Sequence, residues 1–591
     1  MNFNPSYFLY FLFIFIKKKL IYINMDLINI EPKTTIINKF EEVLHKNNGN
    51  SIALRYEDNY DEDLKLTKWN KISWLEYYTH SLNFAKALIR VNFEVKETVC
   101  IYSFNCHQWL ISFMGAIMAG GQSCGIYPTD SLEQIKYKLD DCNCSVMVVE
   151  NNSKCHLSLL EDDELNLKKI IIIDTSDKSI VHSKVVYFDD FITEHNNDYL
   201  ELEVKLENIK QQINPDDNAC FVYTSGTTGN PKAVCISHDN LIFNAETVLN
   251  MTPICKNYSQ EERILSYLPL SHVAGMMVDI LCPLIGASQG YIINLNFSRS
   301  TDLKNGTIKN RLNIVRPTLF LGVPRVWEKF KDAVQKKLEE SSPRKQKILN
   351  WARKCLTNPD LILLKIPILS ILFRKIALII LNKVKKGLGL DQCKYFISGA
   401  APLSKEIIYF FQSLSINIVE VYGMSECTGA TSCCANNQIK IGSCGKFLPQ
   451  TEIKVINDKN PYCIVDNIDD EHPENLQGEI CFRGRHVMKG YYCKENTGEK
   501  YEQINNKNKE TIDQDGWLHS GDKGVVDKNG YVKITGRYKE IIIGAGGENI
   551  SPVPIENKLK EICPIINQVV MIGDQIKKYL RNFDKEIDKV K

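Results

Sequence analysis

An apolar run that begins at Ala219 leads into the segment Tyr223-Thr224-Ser225-Gly226-Thr227-Thr228-Gly229-Asn230-Pro231-Lys232. This segment combines hydroxyl side chains, two glycines and a lysine directly after a predicted strand. Glycine lets main-chain N–H groups approach an anion, while hydroxyl and ammonium groups add donors and charge. Such a loop is typical of a cradle for phosphate oxygens, although a simple turn after a strand is the alternative. The Gly-x-x-x-x-Gly-Lys spacing is not met, which excludes a Walker-type ATPase.

Strand and helix patterns alternate along the first part of the chain. Short apolar runs occupy Val99–Tyr102, Val146–Glu150, Lys169–Asp174 and Ala219–Thr224, and Trp109–Ala119 carries helix-forming apolar residues between the first two. Strand, helix, strand order of this kind predicts parallel α/β layers.

A β-rich part follows toward the end of the chain. A polar loop is expected over Asn457–Gln477, and strands over Glu479–Phe482, Lys523–Val526 and Tyr531–Thr535. Asp527–Gly530 is a hairpin turn sequence. The predicted fold class is α/β: a large domain of packed α/β layers with a β-rich subdomain, followed by an incomplete small α+β domain.

Composition excludes several classes of protein. Of the 591 residues, 44% are hydrophobic and 24% charged, as in globular enzymes and unlike disordered chains. The formal net charge of +1 provides no global field for nucleic acid, and we predict no nucleic-acid partner. The 20 cysteines are too sparse for a disulfide scaffold, so we expect reduced, mostly buried thiols in an intracellular protein.

Further motifs reveal a family resemblance. They follow the phosphate loop in this order: Leu268-Pro269-Leu270-Ser271-His272, Ser398-Gly399-Ala400-Ala401-Pro402, Tyr422-Gly423-Met424-Ser425-Glu426, Gly516-Trp517-Leu518-His519-Ser520-Gly521-Asp522 and Gly536-Arg537-Tyr538-Lys539-Glu540. Together they resemble the adenylate-forming superfamily. Gly322–Glu328 and Gly546–Pro554 are similar to long-chain fatty acyl-CoA synthetases, and among these to the bubblegum type. The likeness runs from about Ala53 to about Leu580; Ala233, where the family has glycine, is a departure that could crowd the loop.

The resemblance implies a two-step ligase reaction. A fatty acid carboxylate attacks the α-phosphate of ATP, and coenzyme A then displaces AMP from the acyl-adenylate. The implied catalytic residues are Lys232, Glu426 and His272, with Glu426 as ligand of Mg²⁺, which prefers hard oxygen donors. The implied nucleotide-binding residues are Thr224, Ser225, Gly226, Thr227, Thr228, Gly229, Gly399, Ala400, Ala401, Pro402, Tyr422, Gly423, Met424, Ser425, Glu426, Cys427, Asp522 and Arg537.

Individual roles follow from the same resemblance. Tyr422 is expected to stack on adenine, and Gly399–Pro402 to form the wall of the adenine pocket. Asp522 is expected to accept hydrogen bonds from the ribose hydroxyls, and Arg537 to contact the ribose or a phosphate. A surface ion pair is the alternative for Asp522 and Arg537, and a purely structural hydrogen bond is the alternative for His272. An acyl chain could find room beside small residues, namely Gly115, Gly120, Gly121, Ala274 and Gly275.

Two segments suggest contact with a membrane. Tyr7–Ile16 is an apolar run followed by three lysines, which is either an anchor or a dispensable extension before a start at Met25. Leu361–Leu381 reads as a basic amphipathic helix, either in a lipid interface or packed on the core. With an apolar substrate, these features predict a cytoplasmic enzyme peripherally attached to the cytosolic face of an internal membrane such as the endoplasmic reticulum.

The predicted domains are an N-terminal extension (1–30), an adenylate-forming domain (31–538) and a partial C-terminal domain (539–591) hinged at Lys539, with Gly544, Gly546 and Gly547 in a mobile loop. Only 52 residues follow Lys539, and none of the final lysines stands in the family's Ser-Gly-Lys type motif. We therefore expect that the chain as written forms the acyl-adenylate slowly, and that its sequence comes from a truncated reading frame.

Three functions stay open: a long-chain acyl-CoA ligase, an adenylating enzyme for another acid, and a non-catalytic ATP- or fatty-acid-binding relative. Acyl chain length and oligomeric state stay open too.

Overall fold

The computed structural model describes residues 31–47, 49–57, 69–193, 199–224, 230–297, 307–357, 367–435, 439–457, 464–465, 476–538, 542–543, 549–550, 559 and 571. Several predicted features lie outside these residues. They are the extension 1–30, the phosphate-loop residues Ser225, Gly226, Thr227, Thr228 and Gly229, the hinge Lys539, and Gly544, Gly546 and Gly547.

The strands, in chain order, are β1 (Ile52–Glu57), β2 (Trp69–Ser73), β3 (Thr98–Tyr102), β4 (Gln122–Gly125), β5 (Cys144–Val149), β6 (Lys169–Ile172), β7 (Val185–Tyr187), β8 (Asn218–Thr224), β9 (Lys232–Ser237), β10 (Glu262–Ser266), β11 (Ile293–Phe297), β12 (Leu319–Gly322), β13 (Tyr395–Ser398), β14 (Ile418–Glu420), β15 (Ser432–Cys433), β16 (Lys446–Phe447), β17 (Glu452–Ile456), β18 (Ile464–Val465), β19 (Gly478–Arg483), β20 (Gly490–Tyr491), β21 (Leu518–Asp527), β22 (Val532–Arg537), β23 (Ile542–Ile543) and β24 (Asn549–Ile550).

The helices are α1 (Ile36–Asn47), α2 (Trp74–Arg90), α3 (His107–Met118), α4 (Leu132–Asp141), α5 (Phe188–Thr193), α6 (Tyr199–Gln212), α7 (His238–Met251), α8 (Val273–Met276), α9 (Cys282–Ser288), α10 (Thr307–Val315), α11 (Pro324–Glu339), α12 (Pro343–Thr357), α13 (Pro367–Leu388), α14 (Lys405–Gln412) and α15 (Glu499–Thr511). A π-helical turn over Met277–Leu281 joins α8 to α9.

An eight-stranded sheet has the order β20-β9-β8-β4-β3-β5-β6-β7. The predicted strands β3, β5, β6 and β8 all belong to it, and β3–β8 run parallel, which confirms the α/β prediction for this part. The edge differs, because β9 pairs antiparallel with β8 and β20 antiparallel with β9. The predicted phosphate loop is the connection of a β-hairpin, followed by α7. Ser237 begins α7 with a capping box, its hydroxyl accepting from the Asn240 N–H at 3.1 Å.

A seven-stranded sheet has the order β14-β13-β12-β10-β11-β1-β2 and is parallel except for β2. Buried side chains from both large sheets and from α2, α3, α7 and α9 form one continuous apolar core. A second core packs α10–α14 against the seven-stranded sheet. Trp327 lies there, fully buried, with its indole N–H donating to the Gly322 carbonyl at 3.0 Å. The Gly322–Glu328 motif is therefore a packing element.

The predicted β-rich part is confirmed as a five-stranded sheet of β17, β19, β21, β18 and β22. The predicted hairpin joins β21 to β22, and the Asp527 carboxylate accepts from the Asn529 and Tyr531 N–H groups at 2.9 and 3.0 Å. The strand β21 begins five residues earlier than predicted, so the Gly516–Asp522 motif is partly strand. The strand β18 also interrupts the predicted loop Asn457–Gln477.

The predicted amphipathic segment forms α13, with its first residues outside the described chain. Ala377 and Leu381 are fully buried, so one face of the helix packs on the core, which is one of the two predicted alternatives, while other apolar residues face solvent. None of the helices that the structure describes has the length and apolar character needed to span a bilayer. Every cysteine that the structure describes is free and most are buried, as predicted.

Two buried histidines carry lowered pKa values. Burial lowers the pKa of His486 to about 3 and that of His238 to about 4. Neutral rings suit both sites, since His238 Nδ1 accepts from the Ile36 N–H at 3.3 Å and His486 Nε2 lies 2.8 Å from the Thr431 hydroxyl.

We predict that the free energy of unfolding falls as pH is lowered from about 6.5 to about 4. In this window the unfolded chain binds protons at both rings and the folded chain does not. Each histidine adds a slope of at most about 1.4 kcal/mol per pH unit. Urea unfolding at a series of pH values measures this slope, which His486→Gln should reduce and His45→Gln, at an exposed position, should not. Equal slopes in all three chains would contradict the prediction.

Candidate functional site

A cavity of about 880 Å³ opens where the two large sheets meet. Its walls include residues at the carboxyl ends of β8, β12, β13 and β14, which is where ligands bind in open α/β sheets. The predicted site residues that line it are Thr224, Lys232, His272, Gly399, Ala400, Gly423, Met424, Ser425, Glu426, Asp522 and Arg537. Residues far apart in sequence thus share one cavity.

Thr224 and Lys232 stand at the base of the hairpin. They are cross-strand partners, the last residue of β8 opposite the first of β9, and both line the cavity. Ala233 is buried in an apolar cluster with side chains of β3, β5 and β8. The register therefore places both ends of the hairpin, Thr224 and Lys232, at the cavity wall.

Glu426 lies in a 3₁₀ turn, Ser425–Cys427, after β14. It is nearly buried, and its Oε1 accepts a hydrogen bond of 2.7 Å from the Tyr491 hydroxyl. Tyr491 comes from β20, which the sequence analysis missed because a two-residue strand carries no periodic signal. The Glu426 carboxylate and the Thr224 hydroxyl both line the cavity, and they offer the hard oxygen donors that Mg²⁺ prefers, so the residues fit such an ion.

Asp522 and Arg537 face each other across the β21–β22 pair. Asp522 is buried and its two oxygens are engaged: Oδ1 lies 3.0 Å from Arg537 Nε, and Oδ2 accepts from the Tyr422 hydroxyl at 2.8 Å. The structure therefore joins three predicted residues in one network. The Tyr422 ring lies behind the cavity lining, in edge contact with Phe482, and burial raises the pKa of its hydroxyl.

Gly399 and Ala400 line the cavity just after β13, whereas the next two predicted residues, Ala401 and Pro402, are exposed outside it. Glu420 anchors this segment by accepting from the Leu403 N–H at 3.1 Å. Burial raises the Glu420 pKa to about 7.

Cys427 is fully buried behind the cavity. Its thiol donates to the Met424 carbonyl at 3.3 Å and accepts from the Met424 N–H at 3.2 Å. This thiol therefore closes the Tyr422–Glu426 turn.

His272 caps the N-terminus of α8. Its Nδ1 accepts from the Ala274 N–H at 3.2 Å, and burial lowers its pKa, so the neutral ring carries its proton on Nε2. Asn105 fixes the preceding loop by donating to the Leu268 carbonyl at 2.7 Å and accepting from the Leu270 N–H.

The prediction that glycines leave room for an acyl chain is wrong at four positions. A methyl group added at Gly115 would lie 2.6 Å from the Phe84 side chain. One added at Gly120 would lie 2.8 Å from Ile209, and one added at Gly121 would lie 2.4 Å from Phe93. A methyl group added at Gly275 would lie 2.4 Å from the Pro269 carbonyl oxygen. These glycines serve helix and strand packing. The apolar cavity wall comes instead from Ala274, as predicted, and from Val273, Met277, Val278, Cys282 and Leu321.

Lys138 and Glu479 are among the charged residues of the cavity lining that the sequence analysis did not select. Lys138, almost fully buried on α4, is paired with Asp130, and its ammonium lies 5.3 Å from the Tyr223 ring centroid. Glu479 bonds His519 Nδ1 at 2.9 Å and the Gly521 N–H at 2.9 Å. Glu479 and His519 both stand inside predicted strings, but only the pairing of β19 with β21 brings them together.

These features define a nucleotide-binding α/β enzyme of the adenylate-forming type. A model of the AMP-binding enzyme family matches residues 40–492. The chain belongs to this family.

Three relatives that match most of this chain are all named long-chain-fatty-acid–CoA ligases. Long-chain-fatty-acid–CoA ligase ACSBG2 of Gallus gallus is 36% identical over 93% of this chain and 67% of its own length. The ACSBG2 of Mus musculus is 36% identical over 86% of this chain and 72% of its own length. The ACSBG1 of Rattus norvegicus is 34% identical over 92% of this chain and 70% of its own length. The resemblance to bubblegum-type ligases is confirmed.

Solved structures share the fold. The anthranilate CoA ligase AuaEII in complex with anthranoyl-AMP has a TM-score of 0.66 at 18% identity, covering 91% of this chain and 84% of its own. The o-succinylbenzoate coenzyme A synthetase of Bacillus subtilis, in complex with ATP and magnesium, has a TM-score of 0.61 at 19% identity, covering 91% and 87%. At such identity the likeness shows the fold alone.

Tyr422→Phe should lower the free energy of unfolding by about 1.5–3 kcal/mol, because a buried carboxylate loses a hydrogen-bond donor. Tyr409→Phe, at an exposed tyrosine, should change it by less than about 0.5 kcal/mol. Urea unfolding of the three chains measures both values. A Tyr422→Phe chain as stable as the parent would contradict the importance of the hydroxyl–Asp522 contact.

Proposed function

We propose that the chain is an ATP-dependent long-chain fatty acid–CoA ligase. One observation carries the proposal: a single cavity joins a polar end, with Lys232 and Glu426, to an apolar wall of Val273, Met277 and Val278. The polar end suits a triphosphate and the apolar wall suits an alkyl chain. The names of the relatives supply the acid and thiol substrates, a fatty acid and coenzyme A.

The reaction has two displacement steps. An oxygen of the fatty acid carboxylate attacks the α-phosphorus of ATP and pyrophosphate leaves; the coenzyme A thiolate then attacks the acyl carbon and AMP leaves. Protein nucleophiles have no part in either step, so the side chains act by positioning and by stabilising charge. In this proposal Lys232, Thr224 and the loop 225–229 hold phosphate oxygens.

Asp522 binds the ribose hydroxyls, and its contacts with Tyr422 and Arg537 hold it in place. In the same proposal Tyr422 stacks on adenine, and its buried ring has to become part of the cavity wall when the nucleotide binds. His272, neutral with its proton on Nε2, donates to an oxygen of the adenylate. Glu426 and Thr224 hold Mg²⁺, which supplies positive charge against the phosphates.

In the same proposal, residues 31–538 form the adenylate-forming domain and 539–591 belong to a second domain hinged at Lys539. Working at the cytosolic face of an internal membrane gives the enzyme access to its apolar substrate.

A hydroxylamine-trapping assay with ATP and palmitate tests the acyl-adenylate step without coenzyme A. Coumarate and amino acids in parallel test the second candidate, an adenylating enzyme for another acid, which the fold shared with aryl-acid ligases favours. Hydroxamate from coumarate but not from palmitate would replace the first candidate by the second. ATP and palmitate binding without hydroxamate from any of these acids would indicate a non-catalytic relative.

We predict that Lys232→Ala and Glu426→Gln each raise the dissociation constant for ATP with Mg²⁺ by about tenfold or more, since each loses a charge-assisted contact. Both side chains line a solvent-open cavity, so the chains should stay folded. Isothermal titration calorimetry measures the affinity, with Lys489→Ala as a matched control outside the cavity. Unchanged affinity in the Lys232 and Glu426 chains would refute the assignment.

Tyr491 is proposed as a positioning residue for Glu426. Tyr491→Phe removes the hydroxyl that donates to the carboxylate, so affinity for ATP should fall several-fold with Mg²⁺ present and stay unchanged without it. Tyr492→Phe, at the next residue along the chain, is the control. An equal loss with and without Mg²⁺ would indicate a general structural role instead.

A further inference from the structure

The face of α13 that points away from the core is apolar at many positions. Ala377 and Leu381 fix the helix to the body of the protein, and their burial leaves the opposite side to solvent. The exposed aliphatic residues on this helix are Ile371 at 59%, Leu372 at 51%, Ile376 at 39%, Leu378 at 42% and Ile379 at 65%. Surface helices of globular proteins normally place polar residues there. A contiguous apolar patch of this kind marks an interaction surface.

The neighbouring helix extends the surface. Trp351 of α12 and Phe373 of α13 meet edge to face, with ring centroids 5.9 Å apart, and Ile348 of α12 is 51% exposed. We call the exposed residues of α12 and α13 together the α12–α13 face.

Charge on these helices is of one sign. The helices α12 and α13 contain ten lysines and arginines and no aspartate or glutamate, in a chain whose net charge is +1. Two of these cations are used within the protein: Arg353 bonds the Ser413 hydroxyl at 2.8 Å and Lys385 the Ser415 carbonyl at 3.2 Å. None of the ten forms an ion pair with a residue that the structure describes.

We propose that the α12–α13 face docks on the surface of a bilayer containing anionic lipids. Aliphatic side chains from Ile371 to Ile379 insert between headgroups, and flanking cations, including Arg374, Lys375, Lys383 and Lys386, contact lipid phosphates. Because the buried side of α13 belongs to the core, the helix lies along the membrane plane. This inference deepens the proposed function, since it names the surface that brings a fatty acid ligase to a membrane.

The charge pattern favours lipid over other occupants. A second copy of the chain would bring two cationic faces together, which costs electrostatic free energy. An acidic protein or nucleic acid would satisfy the cations but would leave five exposed aliphatic side chains of α13 in contact with polar groups. An anionic bilayer satisfies both the apolar and the cationic parts.

Vesicle co-sedimentation of the full chain tests the proposal. We expect binding to vesicles of phosphatidylcholine with about one third phosphatidylserine, weaker binding to phosphatidylcholine alone, and a decrease as salt is raised. The double variant Ile371→Glu with Ile379→Glu should reduce the partition coefficient about tenfold or more. Lys383→Glu with Lys386→Glu should reduce binding to anionic vesicles only.

Controls separate the α12–α13 face from other causes. Leu200→Glu with Val204→Glu places the same charges at exposed aliphatic positions of α6 and should leave binding unchanged. Phe13→Asp, in the full chain, tests the apolar run near the N-terminus. Loss of binding in Phe13→Asp with full binding in the α13 variants would overturn the proposal.

Two other readouts complete the test. A change of sedimentation coefficient in the absence of lipid, seen only in the α13 variants, would indicate self-association and overturn the proposal. Hydroxamate formation from palmitate in detergent solution should be the same in the α13 variants and the parent. Failure of the ligase assay in the parent, with vesicle binding intact, would overturn the proposed activity and leave the docking surface standing.

Discussion

The antiparallel pairing of β9 with β8 is the constraint on which the site depends. The strands β3–β8 of that sheet run parallel, so the chain reversal between β8 and β9 returns the chain along the same edge and sets Lys232 opposite Thr224. The new edge then accepts β20, where Tyr491 pairs with Val234. One reversal therefore brings together the lysine, the hydroxyl and the tyrosine that holds Glu426.

The cavity also depends on acids that the fold holds by hydrogen bonds. Asp522 is supported by a hydroxyl and a guanidinium, and Glu426 by a hydroxyl. A third acid, Asp279, accepts from the Ser266 hydroxyl at 2.6 Å, and burial raises its pKa to about 8. Burial favours the protonated form of a carboxyl group, and hydrogen-bond donors favour the ionised form. Asp279 has a single described donor and supports the loop before His272, whereas Asp522 has donors on both oxygens.

The sequence predicted the layers and the main strands, and most of the predicted site residues that the structure describes line the cavity. Parallel strands such as β3 and β5 are continuous apolar runs, and the motifs stand at strand ends, where local patterns are strong. Contacts between distant segments gave no such signal: Tyr491 lies on a two-residue strand, and Glu479 meets His519 only through sheet pairing. The glycines misread as acyl space show the same limit, because Phe84 and Phe93, which fill those positions, are distant in sequence from Gly115 and Gly121.

Net charge illustrates why a whole-chain average conceals local chemistry. A value of +1 excludes a uniform field, yet α12 and α13 concentrate ten cations without one acid. Screening limits the reach of exposed charge to about 8–10 Å in physiological salt. A partner at the α12–α13 face is therefore attracted by the positive charges of those two helices, and it is affected little by the acidic residues elsewhere that balance the net charge. The local sign of charge, together with the exposed aliphatic residues of α13, decides what this surface can bind.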